Sequence, residues 1–482
     1  MSSSDSSIAP RHDTTGKVAL PTLVAMVVGS MVGAGVFNLP SRFARETGVA
    51  GALVAWAIAG IGMLMLAFVF QSLAVRKPTL DSGVYAYAKA GFGEYLGFFS
   101  AFGFWCSACA GNTFYWVLIM STIGAIAPAF GEGDTLLAAA LSTLGIWFFY
   151  WLIRRGVKEA ASINRIVTFA KLLPILFFIV LCLFYLKPHV FAENFRAGAY
   201  GSLFTQVRGT MLVTVFVFIG IESASVYSRH AKRREDVGRA TLLGFLSVLA
   251  VFASVTIVSY GILPYQEIAE LRQPSMGGVL EAAVGSWGKA FVSIGLIVSV
   301  LGAYLAWTLM AAEVLFVAAK DRDMPRFLSR TTGEDVPAPA LLMTTLLIQI
   351  MLVVLLFAHD ALDLALDLTA VLSLLPYLLA AGYALKLAAI RETYDDDPAG
   401  RGRGLVIGAL ATIYTAFLVY AAGLTFVLLA FILLAPGTIL FVMARREQGK
   451  RLFSPGELVI FAISVVGAIA GIVALATGAI AI

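Results

Sequence analysis

Charge is in short supply in this sequence. Only 13% of its 482 residues are charged and 60% are hydrophobic, where an ordinary soluble domain has roughly 25% charged and 45–50% apolar residues. That balance excludes a soluble globular protein and leaves no stretch for a large domain outside a membrane. Histidine is scarce too: His12, His189, His230 and His359 are scattered through joints and tails. They form no metal cluster and no catalytic triad, so no enzyme is expected. The three cysteines, Cys106, Cys109 and Cys182, sit inside apolar runs. The pair Cys106 and Cys109 lacks the second ligand pair of a zinc site, so these are read as packing residues, with no metal and no cofactor expected. A net charge of +5 would suggest nucleic acid in a soluble protein. In a chain of many membrane spans it is first expected of basic cytoplasmic loops, and no nucleic-acid partner is inferred.

What the sequence does have is apolar runs of span length, about 20 residues each, separated by charged or turn-rich joints. They predict thirteen helices, near 19–41, 49–75, 95–125, 135–153, 164–186, 208–228, 241–264, 290–319, 338–358, 362–390, 404–422, 425–443 and 457–481. Residues 1–18 read as a polar tail. The first apolar run is longer than a signal-peptide core and broken by glycines, so it is expected to remain as a span. Joints after even-numbered spans are basic: Arg229, Lys232, Arg233, Arg234 and Arg239 follow the sixth, and Arg445, Arg446, Lys450 and Arg451 the twelfth. Joints after odd-numbered spans carry little, Arg42 and Arg45 after the first and no basic residue beside Glu132 and Asp134 after the third. The asymmetry predicts a cytoplasmic N-terminus and an outer C-terminus at Ile482.

Most of the 45 glycines read as packing residues that let membrane helices approach closely. Two clusters differ. Gly29-Ser30-Met31-Val32-Gly33-Ala34-Gly35 lies inside span one and Phe218-Ile219-Gly220-Ile221-Glu222-Ser223 inside span six. These spans open two successive groups of five, and matching interrupted helices point to an inverted-repeat transporter with its substrate site at the breaks. A broken helix offers N–H groups to a carboxylate and carbonyls to an ammonium, which suits an amino acid.

A carboxylate at the bilayer centre costs roughly 2.5–3.5 kcal/mol on insertion scales, so intramembrane acids are candidate functional residues. Glu222, beside Gly220, would attract a cation, carry a proton or brace the break. Glu313 lies within two turns of the basic joint at Lys320 and reads as functional or interfacial alike. Asp363 and Asp367 open span ten as a negative mouth that would concentrate cations. Lys171, ahead of Pro174, is expected to face carbonyls of a broken helix and stand in for a sodium ion, with snorkelling to the interface as the alternative. Trp307 and Tyr304 are expected to share one aromatic face over the cavity, placed to hold a cationic head.

The stretches GSMVGAGVFNLP (29–40), SGVYAYAKAGFGEYLGF (82–98), GNTFYW (111–116), VFIGIESASV (217–226), LAWTLMAAEVLFVAAKD (305–321) and LLPYL (374–378) resemble the basic amino acid/polyamine antiporter family of the amino acid–polyamine–organocation superfamily. Within it the likeness is to bacterial arginine/ornithine antiporters. The resemblance implies an all-α, polytopic membrane protein with a five-plus-five inverted repeat whose helices one and six are unwound. It places Met31, Ala34 and Gly35 at carboxylate-binding positions, Phe216 and Ile219 at the span-six positions, and Asn112, Trp307 and Thr369 around the distal cationic head. Phe216 departs from the tryptophan lid of the relatives, and Cys109 from a large aromatic in agmatine exporters.

The expected organisation is a cytoplasmic tail at 1–18, a first five-helix repeat at 19–186, a second at 208–390 and three further helices at 404–482. The expected activity is exchange of basic amino acids across the cytoplasmic inner membrane, arginine for ornithine, with Glu222, Lys171 and Glu313 as coupling or gating candidates. Exchange of lysine, histidine or agmatine, proton-coupled uptake, and a transporter-like sensor or channel are the alternatives. The partners are small basic amino acids and the lipid bilayer, and the resemblance leaves room for a homodimer.

Overall fold

The computed structural model describes residues 19–80, 84–156, 160–222, 234–332, 336–395 and 397–480, with backbone alone for 160–170 and 234–237. The tail 1–18, the basic joint from Ser223 to Arg233 and Ile482 lie outside the described residues. All regular structure among the described residues is helical. Eight of these helices are long and apolar enough to cross a membrane, or ten if each of two bent pairs counts as one span. Large apolar side chains point outward along them, Leu144, Ile413 and Val466 each being about two-thirds exposed. Exposure on that scale fits a hydrocarbon surround, because a protein in water does not leave such faces wet.

The first span is two pieces, α1 (Leu20–Met31) and, after a 3-10 turn at Ala34–Asn38, α2 (Leu39–Ala44), bent by 55°. It is followed by α3 (Val49–Arg76), a short α4 (Val84–Phe92) and α5 (Glu94–Gly124). Helix α5 is the hub. Every residue in it except Glu94, Leu96 and Ile123 is buried, and its Gly, Ser, Asn and Thr residues suit a helix that meets protein and not lipid. Then come α6 (Leu136–Arg154), α7 (Ala160–Phe184), α8 (Pro188–Glu193), α9 (Leu203–Phe218), α10 (Arg234–Ser259), α11 (Tyr265–Glu270), α12 (Ser275–Val284), α13 (Ser286–Lys320), α14 (Ala338–Leu355) and α15 (Ala361–Ala389). Helices α13, α14 and α15 pack on α5. The stretch expected as spans eleven and twelve is one helical run, α16 (Pro398–Glu447), bent at Gly423, whose φ of +76° breaks the helix. The described chain closes with α17 (Pro455–Ala476), packed on α16.

Charged side chains tie the start of α5 to the end of the chain. Glu94 pairs with Arg445 and Lys450. Glu457 accepts the backbone N–H of Ser454 at 2.8 Å to close the capping box of α17, and with its other oxygen accepts the N–H of Tyr95 at 3.1 Å. Tyr95 belongs to the first turn of α5, whose N–H groups have no partner within the helix. One carboxylate thus caps two helices. Cys106, Cys109 and Cys182 are free, buried thiols, as expected of packing residues.

Candidate functional site

The first break follows from local sequence. Helix α1 runs out at Met31, Val32 turns extended (ψ 99°), and Gly33 is fully extended (φ −110°, ψ −164°) before the chain re-enters a helix at Ala34. The second is its counterpart. Helix α9 ends at Phe218, Ile219 turns out (φ −58°, ψ 133°), and Gly220 takes a φ of +107°, a region that disfavours side chains. The breaks touch each other: a Cβ built on Gly220 would sit 2.5 Å from the carbonyl oxygen of Ser30, and the Ser30 hydroxyl is 3.4 Å from the Gly220 carbonyl.

Two buried ionisable side chains brace these breaks. Glu222 is buried; it accepts the Gly220 N–H at 3.2 Å and the Tyr377 hydroxyl at 2.8 Å. Lys171 is buried in α7, and its Nζ donates to the carbonyl of Gly29 in the last turn of α1. Its ammonium therefore lies inside the protein against a broken helix, and the snorkelling alternative does not hold.

Between the breaks and helices α5, α13 and α15 lies a small cleft. Met31, Ala34 and Gly35 line it from the first break, Phe216 and Ile219 from the second, Trp307 from α13 and Thr369 from α15. Gly35 is required by a close approach, because a Cβ there would stand 2.6 Å from the Phe216 ring. Asn112 is fully buried one residue beyond the cleft lining. Its Nδ2 is 3.3 Å from the Thr308 hydroxyl, and its Oδ1 has no partner among the described residues. Ser30, Gly33, Ser107, Ala108, Gly111, Tyr115 and Val217 complete the lining; Ser30 and Gly33 fall in the glycine cluster of span one, and the other five carry no site role in the sequence. For Tyr115 a signal was present: it lies three residues after Asn112 and four after Gly111, so a helix puts all three on one face.

Two further expectations, for Tyr304 and for the pair Asp363 and Asp367, are corrected. Tyr304 does not share the Trp307 face over the cleft. It is buried in edge-to-face contact with Trp116 (5.4 Å between centroids) and Phe149 (5.1 Å), where ring packing outweighs the cleft. Asp363 and Asp367 are not a free negative mouth. Arg42 of α2 reaches both, at 2.9 and 2.5 Å, and Arg45 holds Asp363 at 2.5 Å. These pairs clamp α2, the second half of the first span, to the start of α15. Glu313 is not in the cleft lining; it borders a separate recess with Ile153, Leu309, Pro337 and Leu341.

The arrangement offers one cleft lined by residues of two broken helices and by the aromatic side chains of Tyr115, Phe216 and Trp307. The sequence profile of the family described as amino acid permease matches residues 19–443. The chain is 46% identical to a protein named arginine/ornithine antiporter from Pseudomonas aeruginosa, over 95% of this chain and 97% of that one. It is 39% identical to one named L-lysine transport protein from Corynebacterium glutamicum, over 97% of each. It is 36% identical to an arginine/ornithine antiporter from Latilactobacillus sakei, over 97% of this chain and 98% of the other.

Proposed function

Since the chain belongs to the amino acid permease family, we propose that it exchanges basic amino acids across the cytoplasmic membrane by alternating access, with arginine entering against ornithine. The observation that carries this reading is the pair of touching helix breaks opening on one cleft with Trp307 in its wall. The substrate carboxylate lies against the first break at Met31, Ala34 and Gly35. The α-ammonium lies toward Phe216 and Ile219, and the cationic head toward Trp307, Thr369 and the Asn112 side chain. Arginine and ornithine carry the same net charge, so one-for-one exchange is electroneutral and needs no ion gradient. In this reading two inverted five-helix units, 19–186 and 208–390, surround the cleft, the three helices of 404–482 flank them, and the tail 1–18 is cytoplasmic, in line with the basic joints. Lys171 supplies at the first break the positive charge that a sodium ion supplies elsewhere, and Glu222 steadies the second. The Corynebacterium relative named for lysine transport favours lysine as a further substrate.

Counterflow tests the proposal. Liposomes preloaded with ornithine are expected to take up labelled arginine, and empty ones are not; equal uptake in both would overturn antiport. Preloading with lysine, histidine or agmatine in turn ranks the counter-substrates.

Trp307→Leu keeps an apolar side chain but removes the ring face that attracts a cation. It is expected to raise the KM for arginine by roughly ten-fold, in line with ~1–2 kcal/mol for a desolvated cation–π contact. An unchanged KM in a folded variant would make Trp307 a packing residue.

A further inference from the structure

The hydroxyl groups around the cleft are not equivalent. A hydroxyl has one proton to donate. That of Ser30 goes to the Val27 carbonyl at 2.8 Å, that of Ser107 to the Thr369 carbonyl at 2.7 Å, and that of Thr369 to the Ala365 carbonyl at 2.6 Å. All three lining side chains are thereby committed to the protein's own backbone. Tyr115 is the exception among the described residues. Its side chain is more than nine-tenths buried and lines the cleft. Its hydroxyl donates to no protein acceptor among the described residues, and lies 3.6 Å from the point where a Cβ on Gly33 would stand. It therefore hangs over the residue at which the first span is interrupted. A hydroxyl that lines the cleft with its proton uncommitted is available to a ligand there. The segment that starts at Ala34 follows Gly33 directly, and the first N–H groups of a helical segment have no partner within it. An acceptor on a ligand bound at the first break would meet both kinds of donor.

From this we infer that the Tyr115 hydroxyl donates a hydrogen bond to the substrate carboxylate, and so selects amino acids over the amines left when that carboxylate is lost. The inference rests on the proposed exchange of basic amino acids and adds a side chain to the carboxylate end of the cleft. The ring is held in place independently of any ligand, by burial on α5 beside Phe114, which in turn stacks edge-on against Phe216. Removing the hydroxyl alone therefore leaves the wall of the cleft as it is.

The test compares arginine with agmatine, which has the same guanidinium and no carboxylate. Both are titrated against labelled arginine exchange in ornithine-loaded liposomes, with wild type and Tyr115→Phe. The variant is expected to raise the KM for arginine about ten-fold, within what a hydrogen bond to a charged group is worth. The concentration of agmatine that halves exchange is expected to stay unchanged, so that the preference for arginine over agmatine shrinks by the same factor. A purely structural role would weaken both ligands together; equal shifts, or no shift in either, would overturn the inference. Absence of arginine exchange in the wild type would instead overturn the exchanger reading, and the inference with it.

Discussion

Gly220→Ala is expected to abolish exchange, lowering the rate at least about a hundred-fold, while the protein still inserts and elutes as a single folded species. Two costs add at this position. A φ of +107° strains any residue with a side chain by roughly 1–3 kcal/mol. The added methyl would also lie 2.5 Å from the Ser30 carbonyl oxygen, and that atom is backbone, so relief comes only by parting the two helix breaks. The strain falls on the elements that bind and move, and not on the surrounding scaffold. Gly402→Ala supplies the comparison, since a Cβ there meets nothing within 4 Å; it should exchange at the wild-type rate. Counterflow rates normalised to protein content decide the matter, and a wild-type rate in Gly220→Ala would show that the breaks need not touch during transport.

Lys171→Met should reduce exchange by about ten- to a hundred-fold, the cost of leaving the carbonyl of Gly29 without its donor and the first break without its positive charge. Methionine keeps the stem length, so the loss is not a cavity effect. Wild-type exchange in choline medium should match that in sodium medium, because the ammonium comes with the protein. Full activity in Lys171→Met, or dependence of the wild type on sodium, would return Lys171 to a structural role.

Much of this frame is legible in the sequence. The hub helix found at Glu94–Gly124 matches the apolar run expected at 95–125, because composition alone marks a long buried helix. The interruptions at Gly33 and Gly220 show as glycine clusters, since few other residues leave a helix so cheaply. What stays hidden is partnership across distance. The claim of Arg42 and Arg45 on Asp363 and Asp367 joins residues more than three hundred positions apart, and no local pattern announces it. The Glu222–Tyr377 contact is of the same kind. Tyr304 and Trp307 are one turn apart, and helical spacing placed them together; neighbouring rings on α5 and α6 drew one of them away. Short helices such as Val84–Phe92 and Ser275–Val284 lie in joints whose periodicity is too brief to separate from a loop.

The double cap made by Glu457 sets an order on biosynthesis. The Tyr95 N–H leaves the ribosome some 360 residues before the carboxylate that satisfies it, so the hub helix is threaded into the bilayer with its first turn unfinished. Arg445 waits in the same way for its second acidic partner. At the synthesis rate of roughly 5–20 residues per second, this helix start stays unpaired for tens of seconds. A chain that ends ahead of Glu457 would hold nearly all its spans and leave this seam uncapped.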